Sequence, residues 1–289
     1  MNSYLAKKDY YSELIEHALK ESLPVEKMSE KVLRAMRYSL LSGGKRIRGM
    51  ITLACYELFS DKIEKALPAA VAVEMVHAYS LIHDDLPCMD DDDIRRGKPS
   101  CHIAFGESIA LLAGDALLTK GLAILSEIQD VNSALRCITI LGDAAGFQGM
   151  VRGQELDISL CDKKSIKRND LNKIYSLKTG KLYTAAAAMG SIIGKSSDED
   201  LLTIEEAMKK IGLVFQIVDD MLDTPGESNM SGAVDSNEKI TYLSIYDAAG
   251  CRSIAEKLTK EAIEILNNRF KSKAWFITQM AENLLVRTK

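Results

Sequence analysis

Aspartate is concentrated at two places in this chain, and at both its spacing suits chemistry. The first is His83-Asp84-Asp85-Leu86-Pro87-Cys88-Met89-Asp90-Asp91-Asp92-Asp93, where six aspartates fall within ten residues. Asp84 and Asp85 close an apolar segment with helical spacing. Carboxylates at a helix C-terminus face the negative end of its dipole, and crowding adds like-charge repulsion. If ordered, the cluster needs positive charge beside it. A hard divalent cation fits, because carboxylate oxygens suit Mg2+, which keeps waters and accepts phosphate oxygens from a substrate. Taken alone, the run fits a solvated acidic loop as well. It is not an EF-hand, since no glycine occupies the sixth loop position and no glutamate the twelfth.

The second place is Phe215-Gln216-Ile217-Val218-Asp219-Asp220-Met221-Leu222-Asp223. Asp219 and Asp223 are four apart and share one helical face, with Gln216 on the same face. Carboxylates this deep in an apolar run are costly if unpaired. Alone, the segment equally fits a helix end that reaches solvent. Two such helix ends facing each other across a bundle would form a multi-metal cage.

Cations complete the set. Ser42-Gly43-Gly44-Lys45-Arg46-Ile47-Arg48 joins two glycines to three basic side chains. Amides freed by glycine, beside Lys and Arg, suit a phosphate. The segment is not a P-loop, because the G-x-x-x-x-G-K-[ST] pattern is absent. Arg95-Arg96 follows the first aspartate run, Lys178-Thr179-Gly180-Lys181 interrupts a helical segment, and Lys239 follows the second cluster. His77 lies seven residues before Asp84, two turns away on the same face; by itself it fits an ordinary core histidine. Together these residues describe one phosphate group held through metals, another held by cations alone, and an apolar interior for the rest. That is an amphiphilic diphosphate ester with a hydrocarbon tail, plus a second such ester.

Helices must position these groups. Helical spacing predicts segments at 67–86, 107–128, 133–160, 170–194, 199–223, 247–268 and 272–286. Those at 67–86 and 199–223 are apolar nearly all round and belong in the middle of a bundle. Two long polar loops, 87–101 and 224–240, stand out as functional candidates. No repeat and no proline- or glycine-rich linker divides the chain, so residues 1–289 are expected to form one all-α domain.

The chain has 289 residues, 47% hydrophobic and 27% charged, as in ordinary soluble globular proteins. With 41 acidic and 37 basic residues the net charge is −4, which argues against a nucleic-acid partner and against a disordered acidic chain. The N-terminus does not read as a signal peptide. The richest apolar run, 67–82, is interrupted by Glu74 and His77 and falls short of a spanning segment. Cysteines at 55, 88, 101, 137, 161 and 251 include no C-x-x-C pair, so reduced thiols and a cytoplasmic location are expected.

The motifs resemble the trans-isoprenyl diphosphate synthase family over nearly the whole chain. They stand in the family's order: GGKRIR at 43–48, DDLPCMD at 84–90 followed by Arg95-Arg96, GQELD at 153–157, KTG at 178–180, FQIVDDMLD at 215–223 and KITY at 239–242. The DD-x4-D spacing is similar to that of bacterial farnesyl and plant-type geranylgeranyl synthases, and the bacterial farnesyl diphosphate synthases (geranyltranstransferases) are the nearest match. The resemblance implies an all-α bundle of roughly ten or more helices around a deep central pocket. It implies a homodimer, small diphosphate substrates and no membrane anchor. It also implies three Mg2+ ions held by Asp84, Asp85, Asp90, Asp219 and Asp223. Arg95, Lys178, Thr179, Gln216 and Lys239 would contact the allylic diphosphate. Lys45, Arg48, His77 and Arg96 would hold isopentenyl diphosphate.

The implied reaction is ionisation of the allylic C–O bond, attack by the double bond of isopentenyl diphosphate, and proton loss to the departed diphosphate. Lys178, Thr179 and Gln216 would steady the cation. Tyr79 lies five residues before Asp84, so about 7.5 Å deeper along a helix. A bulky aromatic there, with Ser80 beside it, would floor the pocket and favour farnesyl diphosphate in isoprenoid biosynthesis. The alternatives are a geranylgeranyl diphosphate synthase or a non-catalytic regulatory subunit. A terpene cyclase shares the fold, but lacks the separate cation set of Lys45, Arg48 and His77. A squalene-type synthase usually needs a reductant. The chain departs from the family in the 224–240 loop, which is short and has Gly232-Ala233 where a Gly-Lys is usual, and at Lys181, where the family often has a small residue.

Overall fold

The computed structural model describes residues 3–24, 30–160, 168–223 and 241–287. Apart from one two-stranded hairpin, the regular elements among them are helical, in agreement with the all-α expectation. The chain divides into two compact units.

The first unit comprises residues 1–141 and 189–195. It contains α1 (Tyr4–Glu21), α2 (Lys31–Leu40), α3 (Ile47–Glu57), α4 (Leu67–Asp84), the hairpin β1 (Ile94–Arg95) and β2 (Lys98–Pro99), α5 (Cys101–Phe105), α6 (Glu107–Ala123) and most of α7 (Val131–Ala145). α4 is its central element. Pro68 stands in the first turn, where its missing N–H is no loss. Nearly every residue from Ala69 to Ile82 is buried, including the charged Glu74. Within the loop predicted over 87–101, Ile94 pairs with Pro99 and Arg95 with Lys98. The two-residue turn is Arg96-Gly97, with φ of 54° and 73°. Positive φ at both positions is what a hairpin turn of this length demands.

The second unit comprises residues 142–188 and 196–289. It contains α8 (Met150–Leu160), α9 (Arg168–Tyr175), a π-helical turn (Ser176–Gly180), most of α10 (Lys181–Ile193), α11 (Asp198–Asp223), α12 (Ala248–Phe270) and α13 (Trp275–Leu285). The continuous helix expected over 133–160 is broken between Ala145 and Met150. A Cβ on Gly149 would lie 2.1 Å from the Ala144 carbonyl oxygen, so the chain folds back on itself where only glycine fits. α11 is one-sided in its first half rather than apolar all round. Ile204, Ala207, Met208 and Ile211 are buried, while Glu206 and Lys209 face solvent.

Candidate active site

In the first unit, α4 delivers the leading aspartates, and its C-terminal turn shapes the motif. The Asp90 amide donates to the Asp84 carbonyl oxygen at 2.8 Å, and Met89 N–H to Leu86 O at 2.8 Å. The four intervening residues thus form a closed turn that fastens Asp90 back onto Asp84, which explains the DD-x4-D spacing. Asp84 is half-buried and Asp90 exposed. Asp85 points inward and is buried. It accepts from Arg95 Nε at 2.9 Å and also from Arg95 Nη2, which donates to Asp92 at 2.9 Å as well. Burial pushes the Asp85 carboxyl up, and the Arg95 hydrogen bonds pull it the other way.

The glycine loop lies beside the hairpin. Gly43 and Gly44 have φ of 86° and 134°, in the region that favours glycine. Arg96 Nη1 donates to Gly43 O and, at 3.4 Å, to Ser42 Oγ. A Cβ on Gly44 would stand 2.9 Å from the Arg96 guanidinium carbon. The second glycine is therefore what lets the Arg96 head lie against the loop that carries Lys45 and Arg48.

The three cations of that loop have separate fates. Lys45 is exposed and Arg48 half-buried in the first turn of α3. Arg46 turns inward with φ 49°. Its Nε donates to Glu16 at 2.6 Å and its Nη2 to Leu40 O at 2.7 Å, and Nη1 stands 3.7 Å from Glu74. Glu74 also accepts from Gly49 N–H at 2.9 Å, which satisfies an otherwise open amide at the start of α3. Arg46, which its place in the glycine loop groups with the phosphate-binding cations, is thus instead a buried partner of Glu16 and Glu74; the glutamate inside the apolar run of α4 is the sequence signal for this pairing.

His77 faces this cationic set. Its pKa lies well below the ordinary 6.5, because burial and then Arg48, Arg96, Arg46 and Arg95 all disfavour the imidazolium. Burial and the neighbouring Arg46 likewise lower Arg96. Cations that strain one another and keep a histidine neutral create a strong positive potential, which an anion would relieve. Two residues on, Tyr79 is buried, and burial together with the charge of Asp84 pushes its phenol up to about 12. The Ser80 hydroxyl turns back to donate to His77 O at 2.9 Å.

In the second unit the site residues converge on the π turn. A Cβ on Gly153 would lie 2.3 Å from Lys178 N, so α8 packs directly on the backbone of this turn. Asp157, one helical turn after Gly153, then reaches Lys178, with Oδ2 2.6 Å from Nζ. Thr179 Oγ1 donates to Gln216 Oε1 at 2.9 Å, and Gln216 Nε2 approaches Asp220 Oδ1 at 3.4 Å. Asp220 is buried; its other oxygen accepts from Tyr175 OH at 2.5 Å and Tyr242 N–H at 3.0 Å. Asp220 therefore anchors the network that orients Gln216. Asp219 is bound by Arg287, whose guanidinium also lies 4.4 Å from the Phe215 ring centroid. Asp223 ends α11. Lys239 and the Gly232-Ala233 pair lie outside the described residues. Asp157 was missed because only its place in the 153–157 segment marked it.

The donor chemistry fits Mg2+. In the first unit Asp84 and Asp90 offer hard carboxylate oxygens on a backbone-locked turn; in the second, Asp219 carries a carboxylate of the same chemistry, engaged by Arg287. Among the described residues, no three His, Cys, Asp or Glu side chains gather into a ready-made cage. Mg2+ needs none when it takes one or two carboxylates, waters and substrate phosphate oxygens.

Comparison with known proteins agrees with this arrangement. The polyprenyl synthetase family profile matches residues 29–280. The large subunit 1 of a heterodimeric chloroplastic geranylgeranyl pyrophosphate synthase from Arabidopsis thaliana is 42% identical over 262 residues, covering 87% of this chain and 70% of that protein. Farnesyl diphosphate synthase from Bacillus subtilis strain 168 is 40% identical over 247 residues, covering 83% of each. The crystal structure of an FPP/GFPP synthase from Zymomonas mobilis superposes with a TM-score of 0.88 at 35% identity, covering 98% of this chain and 99% of that one. The motifs, the helical fold and these likenesses converge: the chain belongs to the polyprenyl synthetase family, the trans-isoprenyl diphosphate synthases.

Proposed function

We propose that this prenyltransferase condenses isopentenyl diphosphate with dimethylallyl or geranyl diphosphate and stops at farnesyl diphosphate. The observation that carries the product length is Tyr79, a buried aromatic on α4 five residues deeper than Asp84. Lys45, Arg48 and Arg96 bind the diphosphate of isopentenyl diphosphate through positive charge, and the neutral His77 offers it an imidazole N–H. Asp84, Asp85, Asp90, Asp219 and Asp223 are the carboxylates assigned to Mg2+, with three ions as the family resemblance implies, and Arg95, Lys178, Thr179, Gln216 and Lys239 are assigned to the allylic diphosphate. When bound, Mg2+ supplies positive charge to the departing diphosphate.

The side chains of the second unit do the rest. The Thr179 and Gln216 side-chain oxygens and the Lys178 backbone carbonyl steady the allylic cation left when the C–O bond breaks, while the Lys178 ammonium, fixed by Asp157, serves the departing diphosphate. The isopentenyl double bond then forms the new C–C bond, and the surplus proton passes to the released diphosphate. A dry apolar interior keeps water from the cation. The test is incubation of the full chain with Mg2+, labelled isopentenyl diphosphate and each allylic starter, with products dephosphorylated and separated by length. Farnesol is the expected alcohol. Geranylgeraniol as the main product would favour the longer synthase, and no product from any starter would favour a regulatory subunit.

We also propose that a second copy of the chain covers the apolar outer side of the first unit. Leu111, Leu112, Val131 and Leu135 are 47%, 50%, 68% and 60% exposed on α6 and α7. The stretch Glu107–Glu127 is apolar enough to cross a membrane by length and composition, yet only 39% buried. Apolar surface of this kind marks an interaction face. Light scattering is expected to read twice the 31.9 kDa chain mass, and a monomer reading contradicts the dimer.

A further inference from the structure

α4 and α6 meet at His83 and Gly114. A Cβ on Gly114 would stand 2.1 Å from His83 Nε2 and 2.4 Å from Cδ2, so the imidazole fills the space that any side chain at 114 would take. His83 Nε2 lies 3.0 Å from the Leu111 carbonyl oxygen. A carbonyl only accepts, so Nε2 carries a proton and donates it. The same ring stands edge-on to Tyr79, one turn back on α4, with centroids 5.6 Å apart and planes at 79°. This T-shaped geometry is the one that ring quadrupoles favour. His83 is therefore tied both to the α6 backbone and to the ring assigned to the pocket floor.

We infer that Gly114 and His83 are positioning residues for product length. The missing side chain at 114 lets His83 dock on the Leu111 carbonyl, and the docked imidazole holds the Tyr79 ring in place. This inference rests on Tyr79 being the floor, so Tyr79→Ala is carried as a control. The chain and its Gly114→Ala, His83→Ala and double variants are incubated with geranyl diphosphate, isopentenyl diphosphate and Mg2+. Product lengths and thermal unfolding midpoints are then compared.

Gly114→Ala and His83→Ala are each expected to raise the share of product longer than fifteen carbons at least threefold. In the His83→Ala background, Gly114→Ala is expected to add no further shift, because its methyl enters vacated space. The midpoint supplies a second readout. Gly114→Ala lowers it in the parent by clashing with His83, and raises it in the His83→Ala background, where helix propensity alone acts. If Gly114→Ala fails to fold, the double variant is expected to recover folding.

The inference is overturned if Tyr79→Ala lengthens the product while Gly114→Ala and His83→Ala leave it unchanged. It is equally overturned if Gly114→Ala moves the midpoint identically in both backgrounds, or if the double variant does not rescue folding. A product left unchanged by Tyr79→Ala itself overturns the floor assignment, and the positioning role falls with it.

Discussion

Glu74 offers the sharpest link between buried structure and substrate binding. Its side chain is 2% exposed, as is that of Arg46. Replacing it with alanine removes the 2.9 Å acceptor of Gly49 N–H, a loss of about 1–2 kcal/mol for a buried donor left open. It also removes one carboxylate from Arg46. Breaking a buried pair outright costs about 3–5 kcal/mol. Here the Glu74 contact is 3.7 Å, and Arg46 keeps Glu16 at 2.6 Å, so about 1 kcal/mol is the appropriate share. Lost packing adds about 1 kcal/mol more, for a total of about 3–4 kcal/mol.

At about 2 °C per kcal/mol in a chain of this size, the unfolding midpoint falls by about 6–8 °C. Glu74→Gln keeps an oxygen for Gly49 and loses only the charge, so its midpoint falls by about 2 °C. Arg46 sits between Lys45 and Arg48, so the KM for isopentenyl diphosphate is expected to rise in both variants, more in the alanine, while the KM for the allylic substrate holds. Differential scanning fluorimetry and initial rates with each substrate varied separately provide the assays. An alanine variant with the parent's midpoint, or with both KM values raised equally, refutes the reasoning.

Two further outcomes follow from the site. Asp157→Asn removes the charged partner of Lys178, and kcat is expected to fall about tenfold with little change in the KM for isopentenyl diphosphate; an unchanged kcat means that Lys178 needs no such partner. His77 bears on stability at low pH. Its folded pKa lies well below 6.5, so between those values the unfolded chain binds a proton that the folded chain does not. Stability therefore falls as pH drops below about 6.5, by at most about 1.4 kcal/mol per pH unit. His77→Gln is expected to flatten that segment of the urea-denaturation profile, and a profile that keeps its slope contradicts the depressed pKa.

The aspartate helix ends were legible because both carboxylate pairs close long apolar segments whose period is unambiguous. The glycine loop was legible for its two glycines beside three cations. Which of those cations faces inward was not, because Arg46 is turned by Glu16 and Glu74, residues about thirty positions away on either side. The π turn at 176–180 was equally hidden. It forms where Gly153 brings α8 onto the Lys178 backbone, a tertiary contact without a local signature. The break at 146–149 did have a signal in Gly146 and Gly149, which the alanine- and leucine-rich flanks outweighed.

The central assignment is a prenyl transfer halted by Tyr79, and one comparison tests it most directly. The parent and Tyr79→Ala are incubated side by side with Mg2+, geranyl diphosphate and excess labelled isopentenyl diphosphate, and their alcohols are separated by length after dephosphorylation. Farnesol from the parent, and a shift to twenty carbons or more from Tyr79→Ala, is the expected result. Farnesol alone from both folded proteins would contradict the account.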